Sequence, residues 1–453
     1  MSDIIAACAT ALRPSAIGVV RLSGAGCIEA AEKIFTARNG KPLGAQPDRL
    51  LTLGVLHDRQ GRGIDEILAA VSHAPNSYTG EDTVELQCHG SPAVLAAALE
   101  ALFALGVRQA LPGEFTKRAF LNGRMDLTQA EAVVDLIDAQ TADAAANAAG
   151  QVGGLLTKKL APVEAKLTDV LAHFHAVLDY PDDDVPPFET AAARETIADC
   201  RAALAALAET FSRGQVLKNG VRAAIIGAPN AGKSSLLNAL AGYERVIVTE
   251  IAGTTRDTVE EPVRLGGTLL RLVDTAGIRK TEDAVESLGV ERARQAAEEA
   301  ELAIFVCDGS RPLTDADRAA MEEAKRAKRV IAVRNKCDLP AAVKPEELPF
   351  ARVLTLSAKT GEGLAELERE VEALFGSDAP CDGGILTNAR QYGAVCAAAE
   401  VLGRAGDALD TGISPDAVLL DVEQALERLG EITGKSMREE VLARIFERFC
   451  VGK

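Results

Sequence analysis

Residues 227–234 read GAPNAGKS. The string fits GxxxxGK[ST], and its neighbours decide what it means. The apolar run AAIIG (223–227) precedes it, and SSLLNALAG (234–242) follows it. Leu236, Leu237 and Leu240 fall on one face of a helix. Strand, glycine-bearing loop and helix in that order form the frame in which backbone N–H groups turn inward around phosphate oxygens. Gly227 and Gly232 permit the turn, and Lys233 brings a point charge to the outer phosphates. Ser234 offers a hydroxyl to Mg²⁺, and the helix N-terminus adds its dipole. The predicted nucleotide-contacting stretch is Asn230, Ala231, Gly232, Lys233, Ser234 and Ser235. A chance glycine-rich turn is the bland alternative, and the flanking pattern argues against it.

Outward from this loop, the same alternation continues. LLRLVD, LAIFVCD, VIAVRN and VLTLS read as buried parallel strands separated by helical segments, so residues 220–376 form one mostly parallel α/β domain. Three further strings lie in this domain, two of them, DTAG and NKCD, at strand ends. DTAG (274–277) places Asp274 near the metal's water shell, with Thr275, Ala276 and the Gly277 N–H facing the γ-phosphate. IAGTTRD (251–257) lies where a switch loop belongs, and Thr255 is the second candidate hydroxyl for Mg²⁺; a threonine-rich surface turn is the alternative. NKCD (335–338) brings Asp338, whose carboxylate accepts from guanine N1–H and the exocyclic amine. Adenine leaves that acceptor unpaired, so Asp338 selects GTP over ATP. Asn335 and Lys336 brace the loop and cover the ring, and Ser357, Ala358 and Lys359 add a backbone contact to the base. NKCD alone is also an ordinary polar turn; in order after GAPNAGKS and DTAG it marks a guanine site.

The rest of the chain has two other textures. Residues 1–120 mix short β-branched runs (IIAACAT, AIGVVRLS, TVELQCHG) with the helical pattern SPAVLAAALEALFALG, which predicts a separate α/β domain. Residues 121–219 read as long helices, LTQAEAVVDLIDAQTADAAANAAG and LLTKKLAPVEAKLTDVLAHFHAVLDY. YPDDDVPPF interrupts them, and a further helix covers about 189–212. After SDAPCDGG, residues 377–453 return to helix until the last residue. The expected architecture is a helical domain carrying an inserted α/β domain, with helices before and after the insert packed together.

Bulk properties bound the function. At 453 residues, 47% hydrophobic and 25% charged, the chain has the composition of a multidomain globular protein. Its formal net charge of −17 disfavours indiscriminate nucleic-acid binding. Nine cysteines without CxxC spacing and five histidines without HExxH argue against zinc and a secreted disulfide frame. His173 and His175 read as helix surface or packing. No stretch is apolar enough to span a bilayer, and the first residues do not begin a signal peptide. A cytoplasmic location and no membrane partner are the expectation.

Longer signatures sharpen the reading. VVRLSG (19–24), PNSYTGEDTVELQCHG (75–90), LPGEFTKRAFLNGRMDLTQAEA (111–132) and the closing FCVGK resemble the MnmE (TrmE) family of tRNA-modifying GTPases. The resemblance runs the whole length in the family's order. It implies a potassium-activated GTPase that is a homodimer. With a flavoprotein partner similar to MnmG (GidA), in a heterotetramer or larger assembly, it modifies C5 of the wobble uridine of tRNA. FAD would sit on the partner. Ile278, aliphatic after DTAG, fits this family, in which K⁺ replaces an arginine finger. The implied K⁺ ligands are Asn230 and oxygens of Thr249, Ile251 and Thr254, within the stretch Thr249, Glu250, Ile251, Ala252, Gly253, Thr254 and Thr255. Glu286 would orient the attacking water; from spacing alone it is an exposed helix glutamate.

The N-terminal domain resembles the family's tetrahydrofolate-binding and dimerising domain, with Arg21, Glu81, Arg124 and Lys453 as implied ligand positions. Glu81 suits a pterin's amino-imine edge and the basic groups suit a glutamate tail. Arg124 stands where the family often has lysine, and ALRPSAIG replaces its GRGG. Cys450 reads as a prenylation mimic, an inert thiol or, by the resemblance, a cysteine required for the modification. A ribosome-assembly GTPase of the same hydrophobic-substituted class would explain residues 220–376 alone, and a scaffold with an inactive nucleotide domain is the non-enzymatic rival.

Overall fold

The structure is a computed structural model and describes residues 3–179, 190–243, 261–273, 294–295, 297–376, 381–411, 415–447 and 449–452. Two compact units share the chain. One holds Met1–Val134, Val152–Arg194 and Arg404–Lys453; the other holds Asp135–Gln151 and Glu195–Gly403.

The first unit is built on β1 (Ile5–Cys8), β2 (Ser15–Ser23), β3 (Phe35–Ala37), β4 (Thr52–His57), β5 (Gly63–Ser72), β6 (Thr83–Gly90) and β7 (Arg108–Gln109). They form one sheet in the order β3-β4-β5-β6-β2-β1-β7, antiparallel except for the β1–β7 pair. Side chains alternate across it. Val20, Leu22, Ile67, Val71, Val84 and Leu86 point to a core closed by Leu95, Ala98 and Leu102 of the helix Pro92–Phe103. On the other face Leu53 and Leu68 are paired in register and exposed.

The helical stretch that follows runs through both units and departs from expectation in the first of its two long helices, while the second stands as one helix. Residues 127–179 are three helices, Leu127–Asp138, Ala142–Val152 and Leu155–Asp179. The first break is stabilised by Thr141, whose hydroxyl accepts from the Ala144 N–H at 3.1 Å. The second falls at Gly154, whose φ of +78° no helix contains. Leu155–Asp179 packs on Pro415–Thr433. The break expected at YPDDDVPPF lies outside the described residues.

The C-terminus corrects a second expectation. Helix stops at Phe446, and Val451 bridges antiparallel to Pro112. Phe446 and Phe449 pack with Leu127, Ala130 and Leu442, so the tail is fixed by contacts distant in sequence. Helical periodicity in ARIFER could not reveal them.

The second unit carries β8 (Val221–Ile226), β9 (Glu261–Leu265), β10 (Thr268–Leu272), β11 (Leu302–Asp308), β12 (Arg329–Asn335) and β13 (Val353–Thr355). Their order is β13-β12-β11-β8-β10-β9; all neighbours are parallel except β9–β10. Every residue of β11 is buried, as a central strand covered on both faces requires. Leu236, Leu237, Leu240, Leu367 and Val371 cover one face, and Met321, Ala324 and Leu348 the other.

Where the chain leaves this sheet, buried polar side chains grip it. The Ile385 carbonyl accepts from Asn147 Nδ2 at 3.3 Å and Gln151 Nε2 at 2.6 Å. Gln215 donates to the Thr387 carbonyl at 2.9 Å, and Phe211 stacks on Tyr392 with ring centroids 4.2 Å apart. Helices before and after the insert therefore meet, as the sequence pattern implies. The single helix expected near 189–212 is two, Thr190–Glu209 and Phe211–Asn219.

Candidate active site

The phosphate loop leaves β8 at its carboxyl end and enters the helix Lys233–Tyr243. Its two glycines serve different ends. A Cβ on Gly227 would lie 2.2 Å from the Val306 carbonyl of β11, so close backbone approach excludes a side chain there. Gly232 has a φ of +99°, and a Cβ would also meet Asn335 Nδ2 at 2.1 Å. Between them Asn230 is exposed and holds a φ of +61°, a conformation asparagine tolerates better than most residues. Lys233 Nζ donates to the carbonyls of Gly227 at 2.7 Å and Ala228 at 2.8 Å. That curls the ammonium into the loop's concavity. Burial pulls its pKa below the usual lysine value, with the Asp317 carboxylate working the other way. Ser234, in the first helical turn, is half-buried, and Ser235 is exposed.

One buried amide connects this loop to the NKCD string. Asn335 Nδ2 donates to the Ala231 carbonyl at 2.9 Å. Its Oδ1 accepts from the backbone N–H of Lys336 at 2.8 Å and of Ala358 at 3.0 Å. The phosphate loop, NKCD and the SAK turn thus share one side chain, which is only 2% exposed. Asp338 is exposed, and Ser357 Oγ donates to its Oδ1 at 2.6 Å. That bond, with the charges of Lys359 and Lys336, holds its carboxyl below the ordinary range. An oriented, ionised carboxylate at a strand end is what guanine recognition requires.

The structure adds a residue that the motifs do not contain. Lys336 has a φ of +67°, and its Nζ donates to Asp308 Oδ2 at 2.6 Å. Asp308 Oδ1 accepts from the Ser310 N–H at 2.9 Å and Oγ at 2.6 Å. Burial raises this carboxyl's pKa, but Lys336 and Ser310 outweigh it and leave the value lowered. The available signal was topological: Asp308 ends β11 in register with Asn335 on β12.

Thr249, Glu250, Ile251, Ala252, Gly253, Thr254, Thr255, Asp274, Thr275, Ala276, Gly277, Glu286 and Lys453 lie outside the described residues. The residues predicted for K⁺ and Mg²⁺ that are described, Asn230 and Ser234, lie on the phosphate loop and the first turn of its helix.

A second constellation forms at the N-terminal sheet. Arg21 Nε donates to Glu85 Oε1 at 2.9 Å, and its guanidinium carbon lies 5.3 Å from the Tyr78 ring centre and 5.8 Å from that of Phe115. Glu81 Oε2 accepts from Ser23 Oγ at 2.8 Å and Arg118 Nη1 at 3.0 Å. Arg124 Nε donates to the Ser77 carbonyl at 3.1 Å. Arg21, Glu81 and Arg124 are therefore gathered around the loop 77–81. Ser23 and Arg118 were not singled out by sequence, although Arg118 stands four residues after Glu114 on one helix. The exposed Cys450 belongs to the tail turn, its carbonyl accepting from the Gly113 N–H at 3.2 Å. Gly452 packs against the Cys8 carbonyl of β1, the strand whose Ala7 pairs with Arg21.

Comparison with known proteins agrees with this layout. Residues 4–124 match the family described as GTP-binding protein TrmE N-terminus, and residues 127–450 match the MnmE helical domain. The chain is 42% identical over 455 residues to the tRNA modification GTPase MnmE of Aquifex aeolicus (strain VF5), covering 100% of both. It is 43% identical over 467 residues to the protein of the same description from Roseiflexus sp. (strain RS-1), covering 100% of this chain and 99% of that one. Among solved structures it is similar to the G domain of the T. maritima FeoB iron transporter, with 27% identity and a TM-score of 0.27. That match covers 35% of this chain and 99% of the other.

Proposed function

The chain belongs to the MnmE (TrmE) family of GTP-hydrolysing tRNA-modification enzymes, and from that premise we propose that its GTPase is switched on by potassium and serves chemistry at C5 of the wobble uridine. The observation that carries the nucleotide half is the Asn335 amide, which binds the phosphate loop, NKCD and SAK into one site. Asp338 reads guanine there, and Lys233 and the helix N-terminus meet the phosphates.

The potassium half rests on two features. Ile278 cannot orient water by hydrogen bonding, and Asn230 offers an exposed amide from a loop position of positive φ. An amide oxygen is a suitable ligand for a hard monovalent cation. Asn230 would hold K⁺ with oxygens of Thr249, Ile251 and Thr254, while Ser234 and Thr255 would hold Mg²⁺. Bound K⁺ would supply positive charge where the leaving phosphate oxygen develops its own. Glu286 would orient the attacking water through intervening bonds.

The N-terminal domain is assigned a tetrahydrofolate derivative as one-carbon source. Glu81 would accept from the pterin edge, with Arg21, Arg124 and Lys453 meeting the tail and Cys450 placed nearby. Exposed Leu53 and Leu68 on the open sheet face favour a homodimer through this domain. An FAD-bearing partner of the MnmG (GidA) type would complete the tRNA chemistry in the cytoplasm. The domain limits follow the same reading: 1–120, 121–219, 220–376 and 377–453. The ribosome-assembly alternative accounts for residues 220–376 alone and leaves the family matches over residues 4–124 and 127–450 unexplained.

GTP turnover in K⁺, Rb⁺ and Na⁺ at fixed Mg²⁺ tests the potassium reading. K⁺ and Rb⁺ are expected to exceed Na⁺ by about tenfold or more, the scale of one well-placed charge at the transition state. Asn230→Ala should flatten that difference while guanine nucleotide still binds. Equal turnover in all three ions overturns the reading.

A further inference from the structure

We propose that Arg118 is a positioning residue for Glu81, fixing the plane of the carboxylate that meets a ligand's donor edge; the inference rests on the folate reading above. Arg118 is 8% exposed. Its Nη1 donates to the Asp3 carbonyl at 2.9 Å and to Glu81 Oε2 at 3.0 Å. Its Nη2 donates to Asp3 Oδ1 at 2.8 Å and to Glu114 Oε1 at 3.1 Å. Ser23 Oγ adds a second donor to the same Glu81 oxygen, and is itself within 2.8 Å of Thr79 Oγ1. Two donors converging on Oε2 from different strands and helices restrict rotation of the carboxylate before any ligand arrives. Such preorganisation lowers the ordering cost of binding.

Charge supports the same assignment. Asp3, Glu81 and Glu114 surround Arg118, and Arg108 shares Asp3 and Glu114 with it through bonds of 2.6 Å to each. An ionised carboxylate accepts and does not donate, so Glu81 suits a ligand that presents N–H donors, and the two adjacent donors of a 2-amino-4-oxopterin match a carboxylate held in a fixed plane. Arg108 supplies an internal control. It holds the same Asp3 and Glu114, so its loss loosens the network while the Arg118–Glu81 bond remains.

Tetrahydrofolate binding to the full chain, measured by equilibrium dialysis under reductant, tests this. Arg118→Met is expected to weaken binding about tenfold, the scale of a lost hydrogen bond to a charged group. Glu81→Gln should weaken it at least as much, and the double variant should be no weaker than Glu81→Gln alone. Arg108→Gln, which keeps the Arg118–Glu81 bond, should cost clearly less than Arg118→Met. Ser23→Ala, a gentler change at the same oxygen, should give a smaller loss that also vanishes in the Glu81→Gln background, and it carries the test if Arg118→Met misfolds. Additive losses, or an Arg108→Gln loss equal to that of Arg118→Met, overturn the inference alone, because a merely structural network behaves that way. A parent chain that does not bind tetrahydrofolate overturns the folate reading and this inference with it.

Discussion

The NKCD end of the six-stranded sheet, proposed above to read guanine, and the loop 77–81 beside the seven-stranded sheet both hold charged side chains in fixed positions, by different means. At the NKCD end the work falls to short strings at strand ends, joined by one buried amide, Asn335. Around loop 77–81 it falls to ion pairs and hydrogen bonds among Asp3, Ser23, Glu81, Glu114 and Arg118, residues that the fold gathers from up to 115 positions apart. Contiguous segments can specify a backbone cradle, because glycine spacing and strand ends are local properties. A network of side chains needs the topology first. The contrast implies that the guanine site should fail sharply when its backbone is perturbed, and that the N-terminal site should fail in coupled, partial steps.

The largest effect is expected at Gly232. Alanine there would need a φ near +99° and would drive Cβ into Asn335 Nδ2. The asparagine cannot easily yield, since it is committed at both ends of its amide. Strain plus a broken buried bond should lower guanine nucleotide affinity by at least about 100-fold. Fluorescent GDP titration measures this, and near-parent affinity would break the view that backbone geometry governs the site.

A smaller effect sharpens the comparison. Asp308 belongs to none of the motif strings, yet it bonds Lys336. Asp308→Ala should release the lysine and speed GDP dissociation about tenfold, the cost of one charge-assisted bond. Stopped-flow displacement reads the rate directly. An unchanged rate would make the guanine site wholly a product of its motifs.

The same distinction explains what could be read in advance. Strands such as β11 announce themselves as unbroken apolar runs, and the helix after the phosphate loop by Leu236, Leu237 and Leu240. Asn335 was legible as a brace, but its reach to Ala231 was not, because nothing in NKCD says which carbonyl lies opposite. Nothing in the sequence sets Arg118 apart from other arginines; only the fold brings Glu81 and Asp3 beside it. The tail is hidden for a related reason: ARIFER favours helix, and the bridge that holds Val451 after the helix has stopped at Phe446 comes from Pro112, more than 300 residues earlier.

That tail offers the mildest test. Gly452 combines a φ of +95° with a Cβ position 2.1 Å from the Cys8 carbonyl, whereas Gly106 has a φ of +89° and no atom within 4 Å. Alanine at Gly106 therefore meets strain alone, and alanine at Gly452 meets strain and a backbone clash. Each strained residue costs about 1–3 kcal/mol, and the clash should free the tail turn. The reporter is the Gly113 amide, which donates to the Cys450 carbonyl. Its hydrogen-exchange protection should fall about tenfold or more in Gly452→Ala, and stay at the parent value in Gly106→Ala. Equal protection in both variants would mean that the tail is held by Phe446 and Phe449 alone, and that a glycine fixed by one distant carbonyl contributes nothing to seating Cys450.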